Sequence, residues 1–307
     1  MSDTLVTGYH TPDLDGTACA IAYSEFLNRE GGDTVPALFG TPNREASWVL
    51  DRTEKDYREG VEALEQTENV ILVDASDFRG LDDKINPEDV VEFIDHREEH
   101  HAEEFPEAES QVEMVGAAAS LIAEKFFEQN VEISEDSALL LYGAIISNTM
   151  NFEAGVTTKR DREMAGWLKQ KIDVKEDFER KMFEHKSELE GSLKQVFLAD
   201  QASETYDGKD VGVIQLEIVD IDSFVENNKQ EALEVLEEIR EEKGWDYIFL
   251  TCADLEEGFN IFISPGKETR EILSSALDVE FSEKEASRSD VLLRKEIIPK
   301  IKQEIQP

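Results

Sequence analysis

The chain has 307 residues, enough for two domains with cores of their own. Its hydrophobic content of 40% is ordinary, whereas 31 basic against 71 acidic residues leave a net charge of −40. So acidic a surface repels nucleic acid at long range, which argues against general DNA or RNA binding. No apolar run approaches the roughly 20 residues of a membrane span. The first residues lack the basic and apolar regions of a signal peptide, and Cys19 and Cys252 form no CxxC pair. The expectation is a cytoplasmic protein without a membrane partner, zinc knuckle or disulfide framework. The charge further suggests adaptation to high salt, where screening relieves self-repulsion. Unfolding in a potassium chloride series should then show stability rising with salt; equal stability in low salt would exclude the idea.

Taken in order, Leu5 to Tyr9 reads as a strand and Gly16 to Arg29 as a helix with small apolar residues. Between them, Gly8-Tyr9-His10-Thr11-Pro12-Asp13-Leu14-Asp15-Gly16 is a turn carrying a histidine and two carboxylates, with Asp15 a candidate N-cap. Thr34 to Phe39 reads as a strand, Arg44 to Arg52 as a helix, and Val70 to Val73 and Val90 to Ile94 as further strands. Helices are expected at Gly116 to Glu128, Ser134 to Met150 and Thr158 to Lys171. A long charged pattern from Val174 to about Gln195 follows, with Gly191 as its break. The remainder reads as strands at Asp210 to Ile218, Tyr247 to Cys252 and Asn260 to Ser264. Helices are expected at Phe224 to Glu242 and Glu268 to Leu277, and from Val291 to Ile305 apart from Pro299. The fold class is α/β: a mostly parallel sheet with helices on both faces, followed by a smaller α+β domain. The expected domains are residues 1–188 and 189–307.

In such sheets ligands sit beyond the carboxyl ends of the strands. The first strand ends near His10, Asp13 and Asp15, the third at Asp74, the fourth at Asp95-His96. Three strands thus bring acids or a histidine to one rim. Any one of them alone is an ordinary turn residue or helix cap; together they favour a site.

These segments resemble the DHH phosphoesterases, most closely the manganese-dependent family II inorganic pyrophosphatases. The resemblance covers nearly the whole chain. GYHTPDLDGTACAIAY from Gly8 is similar to the family's first motif, Val73-Asp74 to its second, and Ile94-Asp95-His96-Arg97 to the Asp-His-His signature. Glu113 to Ala117 resembles the segment after that signature. YGAIISNTMNFEAGVTTKRDR from Tyr142 resembles the family's fourth motif, while Gly212 to Glu217 and Leu293 to Pro299 resemble stretches of the DHH-associated domain. The resemblance implies hydrolysis of pyrophosphate or short polyphosphate by a water bridging two divalent ions, about 3.5–4 Å apart in such sites. Manganese comes first, with magnesium or cobalt as alternatives. Asp13 would bind one ion, Asp15 and His96 the other, and Asp74 both, making these four the catalytic set. Arg97, Arg294 and Lys295 would bind phosphate oxygens of a small phosphorylated substrate. A homodimer is compatible with the sequence, which does not fix the oligomeric state.

The chain departs from the family pattern at several places. Tyr9 stands where the first motif has its histidine, with His10 one residue later as the alternative ligand; Arg97 replaces the second histidine of the signature. Asn148 replaces an aspartate, leaving a neutral ligand, and Ala202 and Leu293 fall where a lysine and an arginine are expected. These changes leave room for a phosphodiesterase acting on short oligonucleotides or cyclic dinucleotides, or for a weakened sensor of phosphorylated ligands. His96-Arg97-Glu98-Glu99-His100 also matches an inverted zinc-protease pattern, but a strand running straight into His96 is a poor start for the helix that chemistry needs.

Overall fold

The apolar runs at Leu5-Val6, Val70 to Val73 and Phe93-Ile94 lie at the centre of a six-stranded parallel sheet. The computed structural model describes residues 4–97, 101–189 and 191–306. They fall into two units, Met1–Phe152 with Val156–His185, and Glu153–Gly155 with Lys186–Pro307. Glu98, Glu99 and His100, and with them the protease-like pattern, lie outside the described residues.

The first unit begins with β1 (Thr4–Thr7), α1 (Leu14–Arg29), β2 (Thr34–Leu38), α2 (Arg44–Leu50), β3 (Arg58–Glu59), α3 (Gly60–Leu64) and β4 (Asn69–Val73). It continues with β5 (Val90–Asp95), β6 (Glu109–Val112), α4 (Ala118–Glu128), α5 (Glu135–Asn148) and α6 (Lys159–Leu168), and α7 (Phe178–Lys186) leads out of it. The sheet order is β3-β2-β1-β4-β5-β6, with every pairing parallel. Alternate residues face opposite sides. Leu5, Val35, Ala37, Val70, Leu72 and Phe93 form one core, joined by Ala63 of α3 and by Phe105. On the sheet's other side α1 packs against β1, β2 and β4, with α4 and α5 against α1. The small residues Gly16, Ala18, Cys19, Ala20 and Ala22 allow that close packing, and Leu14 to Ser24 are buried throughout.

The second unit holds α8 (Leu193–Ala199), β7 (Gln201–Tyr206), β8 (Lys209–Ile218), α9 (Ile221–Lys243), β9 (Tyr247–Asp254), β10 (Asn260–Ile263), α10 (Lys267–Leu277), β11 (Glu285–Arg288) and α11 (Arg294–Ile305). Its five-stranded sheet runs β11-β10-β9-β8-β7, with β8 and β9 parallel and the other pairs antiparallel. The core against α8 and α9 includes Phe197, Leu236, Ile239 and Leu250. That against α10 and α11 includes Phe249, Phe262, Leu273 and Ile297.

The charged stretch from Val174 breaks at Gly191, as expected, with α7 before it and α8 after; Gly191 has a φ of 86°, a left-handed turn that favours glycine. His185 is half-buried, its ring 5.3 Å from that of Trp48. One expectation is corrected. The N-cap of α1 is Asp13, whose Oδ1 accepts the Gly16 N–H at 2.9 Å; Asp15 lies in the first turn. Both cysteines are free and buried. No helix among the described residues is long and apolar enough to cross a membrane.

Candidate metal centre

From β1 the sheet extends one way through β2 and β3, and from β4 the other way through β5 and β6. The connections leaving β1 and β4 therefore run to opposite sides, which places a crevice at the carboxyl ends of these paired strands, the usual ligand position of such sheets. Gly8 lets the two strand ends close up, since a Cβ there would stand 2.8 Å from Val73 O. Asp74, the first residue beyond β4, has a φ of 52°. That left-handed conformation costs a non-glycine residue about 1–3 kcal/mol. It is held by a hydrogen bond from the Asp74 N–H to Ile94 O at 2.8 Å.

Asp15 is fully buried, and four donors converge on it. The Ala118 and Ala119 N–H groups reach it at 2.8 Å each, Asn148 Nδ2 at 2.6 Å, and Cys19 Sγ at 3.4 Å. The cap residue of α4, Ala117, supplies no side-chain bond. Asp15 thus satisfies the free N–H groups of α4 from another helix and sits at its positive end. His96, just beyond β5, is aimed by its neighbours: Nδ1 lies 3.0 Å from Val115 O, which leaves Nε2 facing the acids. Asp95 anchors this corner. Its carboxylate accepts the His96 N–H at 2.6 Å and Ser76 Oγ at 2.5 Å.

Asp15, Asp74 and His96 each offer one ligand atom, all within 4.8 Å of one another. Two carboxylates and an imidazole suit manganese, magnesium or cobalt better than a thiolate-seeking ion. Asp74 Oδ1 decides the fit. It is buried and receives no hydrogen bond among the described residues, with His96 Nε2 at 3.4 Å and Arg97 Nη2 at 3.7 Å. A buried oxygen left in this way is unfavourable unless a cation completes it.

Electrostatics point the same way. Burial pushes the Asp15 carboxyl up to about 6, with His96 opposing and Asp13 adding to the rise. Burial likewise pushes Asp74 up to about 6, reinforced by Asp15 and opposed by His96 and Arg97. For His96 burial favours the neutral ring, but Asp74 and Asp15 outweigh it and lift the imidazole to about 9. The two carboxylates are buried beyond what their surroundings compensate, and the His96 proton that they hold is the one a cation would displace.

A cavity of about 430 Å³ opens beside them, lined by Asp13, Asp74, Asp77, Tyr9, Arg79 and Arg97 among others. His10, expected as a ligand, is not in this group. Its ring is 54% exposed and Nδ1 lies 3.5 Å from Asp82. The strand ends at Thr7, two residues earlier than expected, so the alternation that would aim a side chain at residue 9 or 10 no longer applies. Asn148 meets Asp15 as a donor. In the second unit the Arg294 N–H donates to Gln215 Oε1 at 2.6 Å and its guanidinium pairs with Asp200, while Lys295 is exposed.

Two contributors escaped the sequence reading. Asp161 completes a capping box with Thr158 and also accepts the Gly116 N–H at 2.8 Å and Ser120 Oγ at 2.6 Å, fixing the entry to α4. The Thr-x-x-Asp spacing at Thr158 fits a helix cap but carries no signal of the second duty. Ser76 had no signal beyond its place two residues after Asp74.

Residues 3–145 match the DHH family, N-terminal domain, and residues 180–303 the DHHA2 domain. A manganese-dependent inorganic pyrophosphatase of Methanocaldococcus jannaschii is 31% identical over 86% of this chain and 87% of its own. This chain belongs to the DHH family. Another relative of this DHH protein, the manganese-dependent inorganic pyrophosphatase of Bacillus subtilis, is 28% identical over 97% of both chains. The solved structure of a family II inorganic pyrophosphatase assigned in Methanococcus jannaschii superposes with a TM-score of 0.73 at 26% identity, covering 99% of the DHH protein and 100% of that chain.

Proposed function

We propose that the chain is a divalent-metal-dependent hydrolase of phosphoanhydride bonds, with pyrophosphate as its first substrate and short polyphosphate as its second. The observation that carries this reading is the convergence of Asp15, Asp74 and His96 on one buried point, with Asp74 Oδ1 lacking a hydrogen bond among the described residues. The names of the relatives support both the substrate and manganese as the metal. Bound there, the ion supplies Lewis acidity and an acidified water.

The residues around it have separable tasks. Asp15 and Asp74 hold the ion, and the Val115 carbonyl keeps His96 Nε2 aimed at it. Asp13 borders the same cavity and is the candidate for further metal contact. Arg97 presents a planar, permanently charged fork on that wall, apt for two phosphate oxygens at once. Arg294 and Lys295 are the candidate phosphate binders of the second unit. The overall acidity makes local cations necessary for any phosphorylated substrate.

A manganese-supplemented screen of pyrophosphate, tripolyphosphate and dinucleotides tests this. Release of phosphate from pyrophosphate, abolished by chelation and restored by manganese, is the expected outcome. Metal uptake without hydrolysis of any of the three would replace the enzyme with a ligand sensor. Preference for dinucleotides would make it a phosphodiesterase.

A further inference from the structure

Two ions sharing Asp74 are what the family resemblance implies, but the second place is poorly furnished here. Its expected imidazole is replaced by Tyr9. The Tyr9 ring packs against Gly80, where a Cβ would be only 3.1 Å from it, and the hydroxyl accepts the Ser76 N–H at 3.4 Å. Burial pushes that phenol up to about 12, so it stays neutral. His10 cannot substitute as it stands: its backbone N–H is held by Gly80 O at 2.7 Å and its ring is turned to Asp82.

A cation already stands in this corner. The Arg97 guanidinium lies 4.7 Å from the centre of the Tyr9 ring, and its Nη2 is 3.7 Å from Asp74 Oδ1. Its Nε is 3.8 Å from Asp95 Oδ1, and Asp13 lies within its electrostatic reach. Tyrosine and arginine support each other: the ring face favours the cation, and the packed ring fixes where it sits. A divalent ion on Asp13 and Asp74 would lose its ring nitrogen and meet a permanent positive charge.

We infer that this chain carries one divalent ion, on Asp15, Asp74 and His96, and that Arg97 seated on Tyr9 takes the place of the second. The inference rests on the metal-hydrolase reading and deepens it. Arg97 then combines the charge compensation of an ion with direct contact to phosphate oxygens.

The test counts metal. Protein stripped with chelator, reloaded with manganese and freed of excess should hold one manganese per chain by elemental mass spectrometry. Its electron paramagnetic resonance spectrum should be that of an isolated ion. The double variant Tyr9→His, Arg97→His should hold two and give the spectrum of an exchange-coupled pair. Should that variant fail to fold, Arg97→Gln serves instead, and raised manganese should drive a second ion into it but not into the original chain. Two ions in the unmodified chain, none, or a folded variant that stays at one ion would each overturn the inference. Pyrophosphate hydrolysis on the same samples separates the claims. Activity with two ions leaves the enzyme and removes the arginine's role, whereas one ion without activity does the reverse.

Discussion

Helix α1 carries a carboxylate near each end, Asp15 fully and Glu25 partly buried, and the two are treated in opposite ways. Glu25, 11% exposed, accepts Ser134 N–H at 2.9 Å, Ser134 Oγ and Ser137 Oγ at 2.6 Å each, Arg29 Nε at 2.9 Å and Lys55 Nζ at 2.5 Å. Burial alone would push it up, but Lys55 and the serine donors prevail and hold it down to about 2. At the other end Asp15 and Asp74 are lifted to about 6, and one oxygen of Asp74 accepts no hydrogen bond among the described residues. Glu25 is a finished structural joint between α1 and the start of α5. The other end is less complete, as the proposed cation site requires. Cationic donors on Glu25, against neutral donors and complete burial at Asp15, separate the two roles.

The strongest way to break this contrast is Asp74→Asn. Manganese uptake should be lost and hydrolysis should fall by on the order of 10²–10³-fold, as the removal of several kcal/mol of charge stabilisation implies. The chelated variant should be no less stable than its parent, because a strained, buried carboxylate has gone. A melting temperature lowered by more than a few degrees would place Asp74 with Glu25 as structural. The pH dependence carries the same sign. Acids raised above their ordinary value contribute stability below about 4 that is lost as pH rises through about 6. Metal binding runs the other way, strengthening as pH rises through that window and as His96 is freed of its proton towards about 9.

Next in size is Glu25→Gln, which should destabilise the protein by about 2–3 kcal/mol while leaving hydrolysis per folded molecule unchanged. The folded value of Glu25 lies below its ordinary 4.5, so its contribution is present above that pH and disappears as pH falls through about 2. Acid unfolding of parent and variant should converge there; curves that stay parallel to pH 2 would contradict the assignment.

The smallest effect sharpens the incomplete end. Asn148→Asp replaces a donor on Asp15 with a second acid, which should tighten manganese roughly tenfold and destabilise the chelated protein by about 1 kcal/mol. Titration calorimetry showing weaker binding would mean that the Asn148 amide, as a donor to Asp15, serves the site better than a further negative charge.

Much of this arrangement was legible in the residue pattern. Apolar runs and turn punctuation located the central strands, and acids at their carboxyl ends located the rim, because buried parallel strands leave a strong local signature. What stayed hidden depended on partners distant in sequence. Strand β7, Gln-Ala-Ser-Glu-Thr-Tyr, and the short β6 and β11 are polar edge elements, defined by pairing rather than by their own composition. Asp15 looked like a local cap because its true partners, the N–H groups of Ala118 and Ala119, lie 103 and 104 residues away. The Tyr9-His10 question turned on where β1 stops, and strand ends are the least determined part of any pattern.

That second duty of Asp15 bears on how the protein should be handled at the bench. A carboxylate that caps α4 and is also proposed to bind metal is a poor choice for an inactive control, since an Asp15→Ala preparation would confound lost chemistry with a loosened helix. Asp74, whose Oδ1 accepts no hydrogen bond among the described residues and caps no helix there, makes the cleaner blank. The same coupling offers a reporter: slower hydrogen exchange of the Ala118 and Ala119 amides on adding manganese would register occupancy without any substrate at all.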